Sequence, residues 1–135
     1  MEINVNPTNF AIDGFENLSQ QQMFDISAAH LLQTGQKSYS EENEACSYSG
    51  SGCAAAPFLK EEFRKVADNK GIWSNLVYFK NVPENHSYFV EKLQHAHDRA
   101  NGFGFLEDWK VKMREVATQF ELDDSILDKE ATNGN

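Results

Sequence analysis

The sequence predicts an α+β fold that is predominantly helical. Apolar residues recur at helical spacing in three separate stretches, each bounded by a start or stop signal, and one Ser/Gly cluster lies between two short runs that read as a β-hairpin. At 135 residues the chain makes one domain. A chain of this size buries about two-thirds of its unfolded surface, enough for a core without staples.

Residues 1–18 lack helical periodicity but carry Ile3, Val5, Phe10, Ile12, Phe15 and Leu18. They are expected to form an arm packed on a globular domain spanning 19–122. Ser19 with Gln22 three residues later is a capping-box pattern, and Gly35 is a C-terminal stop, so a helix is expected over 20–34 with Phe24, Ala28 and Leu31 on its buried stripe. The acidic stretch 36–45 reads as a loop. The hairpin is expected around 45–56. A two-residue turn at Ser49-Gly50 would place Cys46 opposite Cys53, whereas a four-residue turn over 49–52 would separate them.

Pro57 is expected to open a short helix near 58–68. Residues 72–79 are aromatic and β-branched and fit a strand or a buried helix equally. Asn85 is a candidate cap for a helix over 86–100 carrying Phe89, Val90, Leu93, Ala96, His97 and Ala100 on one face. The last helix is expected over 105–120, striped by Leu106, Trp109, Met113, Val116, Ala117 and Phe120, with Glu107 and Asp108 suiting the dipole of its first turn. Residues 123–135 turn polar and are expected to fray.

The formal net charge is −9, and residues 1–59 contribute seven acids against the single base Lys37. Such a half-chain lacks the clustered cations that displace counterions from phosphates, so direct nucleic-acid binding is not expected. An acidic surface suits a protein partner with a basic face. No window reaches the ~18 consecutive apolar residues of a membrane span. The first ten residues show neither a secretory nor a transit pattern, which leaves the cytoplasm as the expected address.

Two cysteines and four histidines raise the question of a metal or thiol site. A metal set would draw on Cys46, Cys53, His30 and His97. His95 and His97 point about 200° apart on a helix, so the pair does not share one ion. A Cys-His-Asp nucleophilic site would need His97 to activate Cys46 or Cys53, with Asp25 or Asp98 orienting the ring. The acids beside Cys46 would raise a thiol pKa, which opposes that chemistry. The ordinary role for each thiol is a small buried hydrophobe, and for His97 a ring at the core edge bonded to a carbonyl or carboxylate. No phosphate-cradling motif is present, and no carboxylate pair falls within an apolar stripe at helical spacing.

The ordered series Phe24-Asp25, His30-Leu31-Leu32 with Gly35, Cys46-x-Tyr48, Cys53-Ala54, Leu93-Gln94-x-x-His97-Asp98 and Trp109 resembles an uncharacterised family of small proteins from bacteria and their phages. The resemblance covers roughly 22–122. Such proteins carry a longer Gly-Leu-Lys-like approach to the second cysteine and a glycine soon after it, where this chain has Ser51-Gly52 and Ala56. The resemblance implies a phage or mobile-element setting and carries over no activity and no cofactor.

The expected function is therefore a non-catalytic cytoplasmic accessory protein that binds another protein, a regulator or inhibitor of a host protein. Its acidic face would centre on Glu41, Glu42 and Glu44, and it would act as a monomer or homodimer without cofactor, nucleic acid or membrane. The alternative is a small metal-binding or thiol-dependent enzyme built on Cys46, Cys53, His30 and His97. A homodimeric structural protein would follow from exposure of the aromatic run at 73–79.

Overall fold

A computed structural model describes residues 9–40, 45–100 and 104–129. Five α-helices dominate them: α1 (Gln20–Thr34), α2 (Arg64–Asp68), α3 (Trp73–Tyr78), α4 (Ser87–Asp98) and α5 (Phe105–Phe120). Short 3₁₀ turns at Phe15–Asn17, Ala56–Phe58, Glu61–Phe63 and Ser125–Asp128 complete the order.

The start of α1 is fixed by reciprocal bonds. Ser19 Oγ accepts from the Gln22 N–H at 3.0 Å, and Gln22 Oε1 accepts from the Ser19 N–H at 2.8 Å. The end comes at Gly35, where a φ of 69° lets its N–H return to the Leu31 carbonyl. Met23, Phe24, Ala28, Leu31 and Leu32 form the buried face of α1. α5 buries Phe105, Trp109, Met113, Val116 and Ala117, and α4 buries Phe89, Val90, Leu93 and Ala96. α4 packs along α5 on one side and meets α1 and α3 on the others. Phe15, Phe58 and Trp73 meet ring to ring between 5.7 and 6.5 Å, closing the core at the other end.

The expected α+β class is corrected: the fold is helical. No hairpin forms over 45–56, where residues 47–55 make a sequence of turns and Ala56–Phe58 a 3₁₀ turn. The extended pairing among the described residues amounts to Tyr39–Ser40 against Ala45–Cys46, with an isolated bridge between Ala11 and Leu59, too little for a β-layer. Cys46 is the register partner of Tyr39, not of Cys53. The physical reason lies in Gly50 and Gly52, whose φ values of 68° and 84° curl the chain into a loop, and in Ala54 to Ala56, which are buried beneath helices instead of paired along a strand.

Three smaller corrections follow. The helix expected over 58–68 is split: Leu59 is extended, held by the bridge to Ala11, so regular α-helix starts only at Arg64. Residues 73–78 are helical, with Trp73 and Leu76 buried and Tyr78 and Phe79 exposed. α4 is capped by His86 in a left-handed conformation, not by Asn85.

Both ends of the described chain are docked. The Phe10 N–H donates to the Asn81 carbonyl, the Lys60 N–H to the Phe10 carbonyl and the Ile12 N–H to the Phe58 carbonyl. Phe10 also stacks on Phe63 at 4.7 Å between centroids. At the other end, residues 123–129, expected to fray, are held by Gln21, which bonds Asp123 through both its amide atoms, and by Arg114, which bridges Asp124 and Asp128. Leu127 is 1% exposed. Residues 1–8 and 130–135 lie outside the described residues, so the remainder of the arm and tail is not placed. No helix among the described residues is long and apolar enough to cross a membrane.

Because Leu127 fills the core beneath α1, Leu127→Ala is expected to destabilise the fold by about 2 to 5 kcal/mol. Urea unfolding measures this, and a change below about 0.5 kcal/mol would show that the C-terminal turn carries no core contact.

Candidate functional site

The residues singled out by their chemistry gather around the loop that replaces the hairpin. Tyr48 and residues 52–56 are buried in this loop, while Gly50 is exposed, so the buried polar groups need partners inside the protein. Ser47 opens it: its N–H donates to the Ser38 carbonyl, while its own carbonyl accepts from the Cys53 N–H at 2.9 Å and from Ser38 Oγ at 3.0 Å. Asp68, at the end of α2, accepts from the N–H groups of Tyr48 and Ser49 and from the Ser49 hydroxyl. The Tyr48 hydroxyl donates to the Gly71 carbonyl.

Helices α1 and α4 hold the second half. Ser27 Oγ donates to the Ala54 carbonyl at 2.8 Å, and His30 Nε2 donates to the Gly52 carbonyl at 2.9 Å. From α4, Gln94 Oε1 accepts from the Ala55 N–H at 3.1 Å, and its amide nitrogen donates to Asp98 Oδ1 at 2.9 Å. Arg64 Nε donates to the Ala56 carbonyl. Lys37 closes the end of α4 by donating to the carbonyls of Asp98 and Ala100.

His97 is fully buried, and both ring nitrogens are engaged. The Ser38 N–H lies 3.0 Å from Nε2 and a backbone amide only donates, so Nε2 is the acceptor. Nδ1 then carries the proton and donates to Asp98 Oδ1 at 2.8 Å. One Asp98 oxygen thus receives Gln94 and His97 together, and the Gln94–His97–Asp98 run ties α4 to residue 38 and residue 55 at once. A ring with both nitrogens consumed has no lone pair left for a metal and none for a substrate proton.

His30 is half-buried. Its pKa is lowered from 6.5, chiefly because burial disfavours the charged ring and also because the Arg64 charge lies nearby, while the bond to the Gly52 carbonyl opposes the shift. Gly52 is the closest approach in the loop. A Cβ there would lie 2.9 Å from His30 Nε2 and 2.9 Å from Ala56 Cβ, at a φ that L residues rarely adopt.

Cys53 is free and buried, its side chain makes no hydrogen bond among the described residues, and it packs in the same core as Ala54 and Ala55. The Cys46 side chain, like Glu41, Glu42 and Glu44, lies outside what is described. Among the described residues no three His, Cys, Asp or Glu side chains are grouped to hold an ion. The structure therefore sets His30 against the loop at Gly52, keeps Cys53 buried within it, and links His97 to it only through Ser38. None of four surface grooves has any of the three in its wall.

Sequence reasoning missed the partners that complete this arrangement: Ser38, Lys37, Gln94 and Asp68. Gln94 and Asp98 stand four apart on a helix, the spacing at which an amide meets a carboxylate, so that bond was readable. The long-range donors from 37 and 38 left no local signal. Comparison with protein-family models, with curated proteins and with solved structures finds no match.

Two outcomes follow. Gly50→Ala, in open space, is expected to cost about 1 to 2 kcal/mol from the left-handed backbone alone, and Gly52→Ala clearly more, because His30 or Ala56 must also move. Equal losses in urea unfolding would refute the tight His30–loop contact. The depressed His30 pKa makes the unfolded chain the stronger proton binder, so its stabilising contribution is complete above about pH 6.5 and is lost as pH falls through the lower folded-state value. Unfolding free energies measured between about pH 7.5 and 5 should decline, and His30→Gln should flatten that part of the slope.

Proposed function

We propose that the protein is a non-catalytic cytoplasmic accessory protein that acts by binding another protein, as a phage- or mobile-element-derived regulator or inhibitor of a host protein. The observation that carries the reading is the use of His30, His97, Gln94 and Asp98 as supports for a buried loop, which leaves charged and aromatic surface as the chemistry available to solvent. The charge asymmetry of the sequence supports a partner with a basic face, met by Glu41, Glu42 and Glu44. The motif resemblance supports the phage or mobile-element setting.

The alternative, a thiol or metal enzyme on Cys46, Cys53, His30 and His97, finds no support in the occupied nitrogens of His97 or in the buried, unpaired thiol of Cys53.

The test is capture from a host lysate on the immobilised protein at about 50 mM and about 500 mM salt. A partner retained at low salt, released at high salt and lost from the triple variant Glu41→Gln, Glu42→Gln, Glu44→Gln is the expected result. A stoichiometric metal by elemental analysis, one hyper-reactive thiol, or no salt-sensitive partner would overturn the reading.

A further inference from the structure

A furrow walled mainly by cations runs between α4 and α5, with a volume of about 310 Å³. Lys92, His95 and Arg99 line it from α4 at spacings of three and four, and Lys112, Glu115 and Gln119 line it from α5 at the same spacings, so each set forms one rib of its helix. Between the ribs the floor is Ala96 and Val116, both buried. Short side chains at facing positions leave the furrow open, and long ones raise its walls. Three permanent cations face the Glu115 carboxylate, with Asp108 paired to Lys112 beside the wall, so in a chain whose net charge is −9 the local sign is still opposite to that of the whole protein.

The cations are held in different ways. Lys112 lies 3.3 Å from Asp108 Oδ1, the Lys92 ammonium sits over the Tyr88 ring at 5.2 Å, and Arg99, exposed at the end of α4, joins no ion pair among the described residues. From 92 to 99 the rib extends about 10 Å, two turns of helix. The chemistry that fits is a short anionic chain with one small aliphatic group for the Ala96–Val116 floor. Phosphate alone would leave that floor uncovered. A long polyanion would also meet the Glu115 carboxylate and the acid excess of the rest of the chain, whereas a few carboxylates sense charge only within about 8 Å.

Resting on the binding reading above and adding a second surface to it, we propose that the α4–α5 furrow docks an acidic segment of another protein, its carboxylates on Lys92, Arg99 and Lys112 and one aliphatic side chain on Ala96 and Val116. The mode is a charged chain laid along a helix groove.

The experiment is fluorescence anisotropy with a fluorescein-labelled peptide of glutamates around a central Ala-Leu pair, beside the same peptide with glutamine for every glutamate and a single-stranded oligothymidine. The glutamate peptide is expected to bind and to weaken about tenfold between about 50 and about 200 mM salt. Arg99→Glu and Lys92→Glu, both at solvent-accessible positions, should each weaken it about tenfold or more, while Glu115→Gln should tighten it. Equal binding of the glutamine peptide, indifference to Arg99→Glu, weakening by Glu115→Gln, or preference for the oligothymidine would overturn the assignment. So would a dimer in sedimentation that Arg99→Glu dissolves, which would seat a second copy in the furrow. If lysate capture still yields a partner sensitive to Glu41, Glu42 and Glu44 while the peptide fails to bind, the furrow assignment falls and the general binding reading stands.

Discussion

The fold depends on satisfying the backbone of one buried loop. Residues 52–56 lie between α1 and α4 with no strand beside them, and every unpaired amide or carbonyl there would cost about 1 to 3 kcal/mol. The helices answer with side chains: Ser27 and His30 from α1, Gln94 from α4. Helix positions that would ordinarily carry Leu or Ala in a bundle of this size carry polar groups for this reason. The arrangement is cooperative, since Gln94 is aimed by Asp98, and Asp98 is aimed in turn by His97.

The same constraint explains how the imidazoles of α1 and α4 are used here, as partners of backbone and carboxylate groups. An imidazole reacts through a free nitrogen lone pair, and His97 has given its own to the Ser38 amide. Its Nδ1–H···carboxylate contact looks like the orienting half of a catalytic dyad, yet the other half faces a backbone amide instead of a nucleophile. His30 keeps a partly exposed ring but donates to a carbonyl that Gly52 brings close only because it lacks a Cβ. Loop, glycine and imidazole form one packing unit, so changing any member strains the other two.

The sequence's legible parts and its illegible ones divide along the range of the forces involved. α1 and α5 have the expected bounds, because capping by Ser19 and Gln22, termination at Gly35 and the Trp109–Met113–Val116 stripe are local signals. The hairpin expectation failed because Ser49 to Gly52 reads as a turn in any context, and whether flanking residues pair with one another or with helices is decided by Gln94 and Ser27, 39 and 27 residues away from their bonding partners. His97 was readable as a core-edge ring. Its amide partner at residue 38 was not, since 59 residues separate them. Lys92 and Arg99 stand seven apart, two helical turns, but spacing alone does not say which residues of α5 will face them.

Net charge is a poor guide to a domain of this size for a definable reason. A 135-residue globule has a radius of gyration of about 14 Å, while charge at physiological salt is screened over about 8 Å. A partner small enough to lie within one furrow therefore senses the four or five groups around it, and the summed charge acts only on ligands that span the molecule. Lys92, Arg99 and Lys112 are concentrated by the geometry of two adjacent helices, because ribs at i, i+3 and i+7 on each bring their long side chains to a common line above Ala96 and Val116. A chain rich in acids can in this way present a surface of either sign. Which sign a partner meets is set by helix packing, and helix packing here is set by the buried loop that α4 has to hold.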